Sequence, residues 1–362
     1  MSLTSAILVW GIVALVGGSF HAHADRVDDI VQSEMKKQHI PGLALAVAKR
    51  GELVKTACYG LANVELGVPV QTGTVFQIQS VTKTFTAAAI ILLIEEGKLC
   101  LDDKISKHLA DLPESWEAVT VRHLLSHTSG IKDFINEPTV DLQHDIKPND
   151  VIKSLLVKPL TFQPGEQYAY SNTGYHLLGM IIHAVTGKHW GEFVQERILD
   201  PLGMHDTRVI SLSDIITNRA AGYVWENDQL KNGRFIAPTI VSYAGGGLCS
   251  TVLDLAKWDA ALYTEKILRR SSLQQMWTPA KLNDGSSVNY GLGWVINNVR
   301  GHRLVSHAGS LVTGFTSIFA RFLDDNLTVI ILSNQQAANL RAIAMHVAAN
   351  YIAELRQGPG TN

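Results

Sequence analysis

The sequence predicts a mixed α+β fold: an antiparallel sheet assembled from both ends of the chain, helices flanking it, and a largely helical lobe inserted at about residues 99–285. Three observations predict it. Both ends of the 362-residue chain carry short apolar, strand-like runs separated by turn residues. The middle carries runs of helical period broken by Pro and Gly. The composition, 46% hydrophobic and 18% charged, is that of a globular protein with a sizeable core rather than a disordered one.

Taken in order, residues 1–24 (MSLTSAILVWGIVALVGGSFHAHA) contain no Lys, Arg, Asp or Glu. An apolar stretch from Ala6 to Val16 followed by small residues and "AHA" reads as an export signal cleaved after Ala24, which places the body of the protein in the periplasm or outside the cell. The alternative is an uncleaved segment that anchors it to a membrane. The folded domain is then expected at 25–355, with 356–362 a tail. "LALAVAKRGELVKTACYG" (Leu43–Gly60) reads as two strands with a turn at Lys49-Arg50-Gly51. "YGLGWVINN", "HRLVSHAG", "GFTSIFARF" and "NLTVIILSN" repeat that signature near the other end, with turns at Arg300-Gly301 and Asp324-Asp325-Asn326. A helical pattern from about Ala337 to Leu355 closes the fold. A cleft between sheet and inserted lobe is where a site is expected.

Charge narrows the function classes. Lys plus Arg total 31 against 33 for Asp plus Glu, with no basic stripe, so nucleic acid is not an expected partner. The three cysteines, Cys58, Cys100 and Cys249, are too few and too scattered for a disulfide framework and read as buried free thiols. No Gly-rich phosphate loop and no G-x-S-x-G elbow occur. His123 and His127 have the i, i+4 spacing of a helical zinc motif, but Leu124 stands where that motif carries Glu, so both read as structural and no metal or cofactor is expected.

The chemistry concentrates in "QIQSVTKTFTAAAIILLIEEG". Ser80 and Lys83 lie three residues apart, one helical turn, on the same face. S-x-x-K occurs three times in the chain, at Ser33/Lys36, Ser80/Lys83 and Ser129/Lys132, so the pattern alone does not choose. Context does: only Ser80 opens a strongly apolar helix that must be buried on much of its surface. Burial matters because an ordinary Lys, with a pKa of about 10.4, is no base near neutrality, and lowering it to about 7 takes roughly 4 kcal/mol of desolvation. Ser80 would also sit over the positive end of the helix dipole.

Two further elements join this pair. Tyr170-Ser171-Asn172 precedes a helix beginning near Thr173. It offers a phenol for proton relay and an amide to orient substrate, or simply an N-cap. His307-Ala308-Gly309 lies on an expected strand, where Gly309 and Ser310 let a ligand approach the backbone and His307 is either functional or structural.

Ser-x-x-Lys, Tyr-x-Asn and a third element ending in Gly, in that order, resemble the serine penicillin-recognising enzymes. The nearest resemblance is to class C beta-lactamases and their relatives among D-alanyl-D-alanine carboxypeptidases, D-aminopeptidases and family VIII carboxylesterases. "TVRHLLSHTSGI", "ILDPLGMHDT" and "GGGLCSTVLDLAKW" extend it to about residues 27–350. The resemblance implies a beta-lactamase/transpeptidase-like fold and a serine hydrolase working through an acyl-enzyme. It implies Ser80 as nucleophile, Lys83 as its proton acceptor, and Tyr170 as general base and then proton donor. Asn172 is implied to bind the substrate, and His307 to complete the hydrogen bonds around Tyr170. The oxyanion hole is implied to be the backbone N–H groups of Ser80 and Ser310. The third element departs from the family's usual Lys-Thr-Gly. A mostly neutral His in place of Lys, and Ala308 in place of Thr, weaken the grip on a substrate carboxylate. Small esters, amides or peptides are therefore the expected substrates. Beta-lactam turnover and a ligand sensor that acylates without turnover are the alternatives.

Overall fold

The structure, a computed structural model, describes residues 18–136, 142–144, 148–241 and 243–356. Its frame is a seven-stranded sheet. The N-terminal end contributes β1 (Gly42–Lys49), β2 (Glu52–Asn63) and β3 (Val68–Pro69). The C-terminal end contributes β4 (Val295–Val299), β5 (His302–Leu311), β6 (Phe315–Phe322) and β7 (Leu327–Ser333). The order is β3-β2-β1-β7-β6-β5-β4, and every neighbouring pair is antiparallel. The two ends meet at β1 and β7, in register from Leu43 opposite Ser333 to Lys49 opposite Leu327. Both expected hairpins close through two residues of positive φ, Arg50-Gly51 and Arg300-Gly301, the turn that matches strand twist.

Strand alternation then sorts the side chains. Leu43, Leu45 and Val47 face one way, with Val329 and Ile331, and are covered by α1 (Gly18–Lys37) and α5 (Leu340–Ala348). Ala44 and Ala46 face the other way, with Phe319, Ile330 and Leu332, into the larger core shared with the inserted lobe. Alanines there let that lobe approach closely. At its centre is α2 (Thr82–Glu95), whose residues from Thr82 through Leu93 are all buried. α3 (Asn172–Thr186) packs on α2, and α4 (Val252–Ala261) against β1 and β7.

Several expectations are refined. The lobe is not wholly helical: Phe76–Gln77, Leu248–Ser250 and Arg208–Val209 form a small sheet, and Tyr223–Glu226 pairs with Gln229–Asn232. Strands of two to four residues are too short to show a period in sequence. The last helix stops at Ala348, where the Asn350 side chain donates to the His346 carbonyl (2.9 Å), and resumes as a short turn at Ala353–Leu355. The apolar run from Ala6 to Val16, expected to belong to an export signal, lies outside the described residues, and the expected cleavage position falls within α1. Among the described residues no helix is long and apolar enough to cross a membrane. All three cysteines are unpaired. Cys249 is buried and Cys58 half-buried, but Cys100 is exposed, because it sits in the turn after α2 rather than in the core.

Candidate active site

The nucleophile's position is set by a short 3-10 turn, Gln79–Val81, that feeds directly into α2. Ser80 therefore sits in this turn, just ahead of the α-helix it was expected to open. Gln79 holds a positive φ of 48° while 2% exposed, and its side-chain amide donates to Gln77 Oε1 (2.8 Å) and Thr313 Oγ1 (3.0 Å). Ser317 Oγ donates to the Ile78 carbonyl at 2.6 Å. β5 runs against the same turn: a Cβ on Gly309 would stand 2.5 Å from Ile78 O and 2.7 Å from Ser80 N. Only glycine lets that strand lie beside the nucleophile's N–H. Ser310 follows it, exposed at the cleft, with Oγ accepting from Thr316 Oγ1 at 3.4 Å.

Lys83 is completely buried. Its Nζ donates to Asn172 Oδ1 (2.9 Å) and to the Gly245 carbonyl (2.7 Å), and its third contact is Ser80 Oγ at 3.1 Å. The first two partners can only accept, so they fix two N–H directions. In the neutral amine the lone pair is left facing the Ser80 hydroxyl. Burial lowers the Lys83 pKa to about 7, opposed by the negative charge of Asp133. The burial expected of Lys83 from sequence is present, and it lowers the amine in the expected direction.

Tyr170 completes the triangle. Its ring lies 4.9 Å from Lys83 Nζ and its phenol bonds Ser80. Burial raises this phenol, and the Ser80 bond offsets part of the rise. Because 36% of Tyr170 is open to the cleft, water moderates the effect, but its sign keeps the phenol protonated at neutral pH. The expected role of Tyr170 as general base does not fit a phenol pushed upward. Its expected role as proton donor does.

Two other candidates are brought to the site with different partners from those expected. Asn172 is 8% exposed and already occupied: Oδ1 accepts from Lys83 and from Tyr243 (2.7 Å), while Nδ2 donates to Asp133 (2.8 Å). Its Oδ1 braces Lys83, and one of the two Nδ2 hydrogens stays outside these bonds. Ser171 holds the N-cap position of α3 but makes no capping bond with its side chain. His307 donates from Nδ1 to the Ala308 carbonyl (2.8 Å), which makes Nε2 the acceptor for the Tyr290 hydroxyl (2.9 Å). Its ring stands 6.3 Å from that of Tyr170, so it hydrogen-bonds Tyr290, not Tyr170. Burial, reinforced by the Lys83 charge, pushes its pKa down to about 3, so the imidazole is neutral at pH 7.

The remaining motif copies resolve plainly. Ser33 and Lys36 are exposed on α1, and Ser129 is a buried turn residue accepting from Ile131 N (3.2 Å). His123 caps its own helix through Thr120, and His127 accepts from Ser171 N, so they share no site. No metal-binding cluster occurs among the described residues. Asp133, Tyr243, Tyr290 and the Gly245 carbonyl escaped the sequence reading, although Tyr290 opens the quoted "YGLGWV".

A family model described as Beta-lactamase matches residues 27–353. The chain belongs to the beta-lactamase family. It is a serine hydrolase of that family by fold and machinery. It is 33% identical to Penicillin-binding protein 4* of Bacillus subtilis over 88% of this chain and 73% of that protein. It spans 65% of the length of Protein flp of Staphylococcus aureus, at 28% identity. Among solved structures it superposes on the octameric penicillin-binding protein homologue from Pyrococcus abyssi, with a TM-score of 0.80, 31% identity and coverage of 91% of this chain and 77% of that one. It also superposes on D-amino acid amidase from Ochrobactrum anthropi SV3, with a TM-score of 0.78, 27% identity and coverage of 91% and 98%.

Proposed function

We propose that this beta-lactamase-family protein hydrolyses small esters and amides through an acyl-enzyme on Ser80, and that its substrates need no free carboxylate. The observation that carries the chemistry is the Lys83 amine, with two N–H groups tied to acceptors and its lone pair directed at Ser80 Oγ. As Oγ attacks the carbonyl carbon, Lys83 takes the hydroxyl proton. The oxyanion is received by the N–H groups of Ser80 and Ser310; one such donor is worth about 2.7–4 kcal/mol in the transition state. Tyr170 gives its proton to the departing oxygen or nitrogen and is reprotonated from Lys83. Water then attacks the ester by the reverse route, releasing the acid and restoring Ser80.

The substrate class follows from charge. With His307 neutral, the third element supplies no permanent cation where family members with Lys hold a carboxylate. Asp133 instead puts negative charge behind Asn172, which suits a neutral or ammonium-bearing acyl group. The similarity to a D-amino acid amidase points the same way. Export to the periplasm or beyond rests on the uncharged residues 1–24 alone.

Labelling wild type and Ser80→Ala with a fluorophosphonate and a fluorescent penicillin tests the nucleophile. Turnover of p-nitrophenyl butyrate, D-alanyl p-nitroanilide and nitrocefin then orders the substrates. Equal labelling of the two proteins removes Ser80 from the mechanism, and nitrocefin as the best substrate removes the carboxylate argument.

A further inference from the structure

His127, set aside by sequence as structural, touches the site more closely than His307. Its ring lies 4.2 Å from that of Tyr170 at 33°, against 6.3 Å for His307. It also holds the chain on both sides of that tyrosine. The His127 carbonyl accepts from Ala169 N (3.0 Å), and its Nδ1 accepts from Ser171 N (3.1 Å). Tyr170 is therefore gripped from three directions by one residue: before it, after it, and across its ring.

The grip has a conformational cost that a mere space-filler need not carry. His127 is 1% exposed and adopts a φ of 60°, a region that non-glycine residues rarely occupy except where the surroundings enforce it. Because Nδ1 accepts, the imidazole proton resides on Nε2, which has no hydrogen-bond partner among the described residues. That N–H lies in a cage whose other walls include Tyr290 (4.6 Å) and Tyr175 (5.2 Å). The ring is thus held neutral and fixed in one tautomer, as a rigid stop behind a phenol whose front edge faces solvent.

We propose that His127 is a positioning residue that holds the Tyr170 phenol at Ser80 for proton delivery to the leaving group. This rests on the role given to Tyr170 above. A leaving group that departs without a proton has little need of that phenol, whereas a strongly basic one depends on it. His127 should therefore matter in proportion to leaving-group basicity, which loss of general structural support would not produce.

The test compares wild type, His127→Ala and His127→Asn on two esters of one acid, p-nitrophenyl butyrate and ethyl butyrate. Fluorophosphonate labelling and thermal unfolding are measured on the same samples. Asn tolerates positive φ and places an acceptor near Ser171 N, but has no ring to back Tyr170. His127→Ala is expected to lose about 10²-fold in kcat/KM on the ethyl ester, the effect of a misplacement of order 1 Å, and several-fold less on the p-nitrophenyl ester. His127→Asn should recover about tenfold of the ethyl-ester loss, since the backbone clamp returns without the stack. Equal losses on both esters, no loss, or no recovery with Asn would overturn the positioning role. If the Ala protein does not fold, the Asn protein decides alone: its ratio of ethyl to p-nitrophenyl activity must fall below wild type, and an unchanged ratio overturns the idea. Should wild type fail to label at Ser80, the hydrolase reading itself fails; labelling with unaltered His127 variants removes only this inference.

Discussion

Among the described residues one lysine and one arginine are fully buried, one on α2 and one on β6, and they have opposite fates. Lys83 and Arg321 are 0% and 1% exposed. Arg321, on β6, has a carboxylate against it: its Nε lies 2.9 Å from Asp259 Oδ1, which also accepts from Thr328 Oγ1 at 2.7 Å. Its guanidinium stands 4.6 Å from the Tyr263 ring and 5.0 Å from that of Trp277. Burial pushes the Asp259 carboxyl up, and Arg321 and Thr328 offset only part of the rise. Lys83 instead donates to two neutral oxygens among the Tyr170, Tyr175 and Tyr243 rings, with the Asp133 carboxylate beyond the Asn172 amide. A buried cation with a counter-ion is a brace, and one held by neutral partners becomes a base.

The largest expected effect separates the two by activity. Lys83→Met removes the proton acceptor and should lower kcat/KM by about 10²–10⁴-fold, the range of general base catalysis. Stability should move little or rise, because bringing an amine from 10.5 to about 7 sets roughly 4–5 kcal/mol against the folded state below neutrality. A large fall in melting temperature for Lys83→Met would mean that its hydrogen bonds outweigh its desolvation, and the contrast with Arg321 would be lost.

The next effect is the mirror image. Arg321→Leu leaves Asp259 buried without its cation and should cost about 3–5 kcal/mol of stability, with turnover per folded molecule retained. Asp259 Oδ2 and Arg321 Nη1 find no hydrogen-bond partner among the described residues, so the pair is incompletely satisfied. Replacing both residues by Leu should therefore recover most of the loss. Denaturant unfolding of the two singles and the double gives the coupling directly. A double variant no better than Arg321→Leu would show that the brace acts by shape rather than charge.

What sequence made legible follows the same division between local and distant. Ser80 and Lys83 are one turn apart, so spacing and the apolar run behind them sufficed to read both the pair and the lowered amine. The hairpins were legible because Arg50-Gly51 and Arg300-Gly301 carry their turn chemistry in two residues. The supports of Lys83 were not. Gly245 lies 162 positions away and offers a backbone carbonyl, which every residue has. Tyr243 and Asp133 both bond Asn172, the partner of Lys83, and no spacing in the sequence links them to it. The strand pattern placed His307 on β5 but did not reveal that Tyr290 would meet it. Helix periodicity placed His127 near His123, whereas the chain reversal that carries it to Tyr170 depends on a positive φ that no histidine advertises.

The smallest predicted effect tests how finely the base is set. The negative charge of Asp133 raises Lys83 against the downward push of burial. Asp133→Asn removes that charge and keeps a side chain of the same shape beside Asn172. The Lys83 amine should then lose its proton more readily, giving a pKa below about 7. Since acylation needs the neutral amine, kcat/KM in wild type should fall as pH drops through about 7, and in Asp133→Asn the same fall should begin at lower pH. At pH 6 the variant should therefore retain a larger fraction of its own high-pH activity than wild type does. The stability sign runs alongside: between the folded pKa of Lys83 and its unfolded value of 10.5, the unfolded chain binds the extra proton, so stability rises with pH across that window. Asp133→Asn should widen the window downward. A limb that stays in place, or moves to higher pH, would show that the carboxylate acts on Asn172 geometry and not on the charge of the amine. In that case the low pKa of Lys83 would rest on its desolvation and neutral partners, and Asp133 would have no part in setting it.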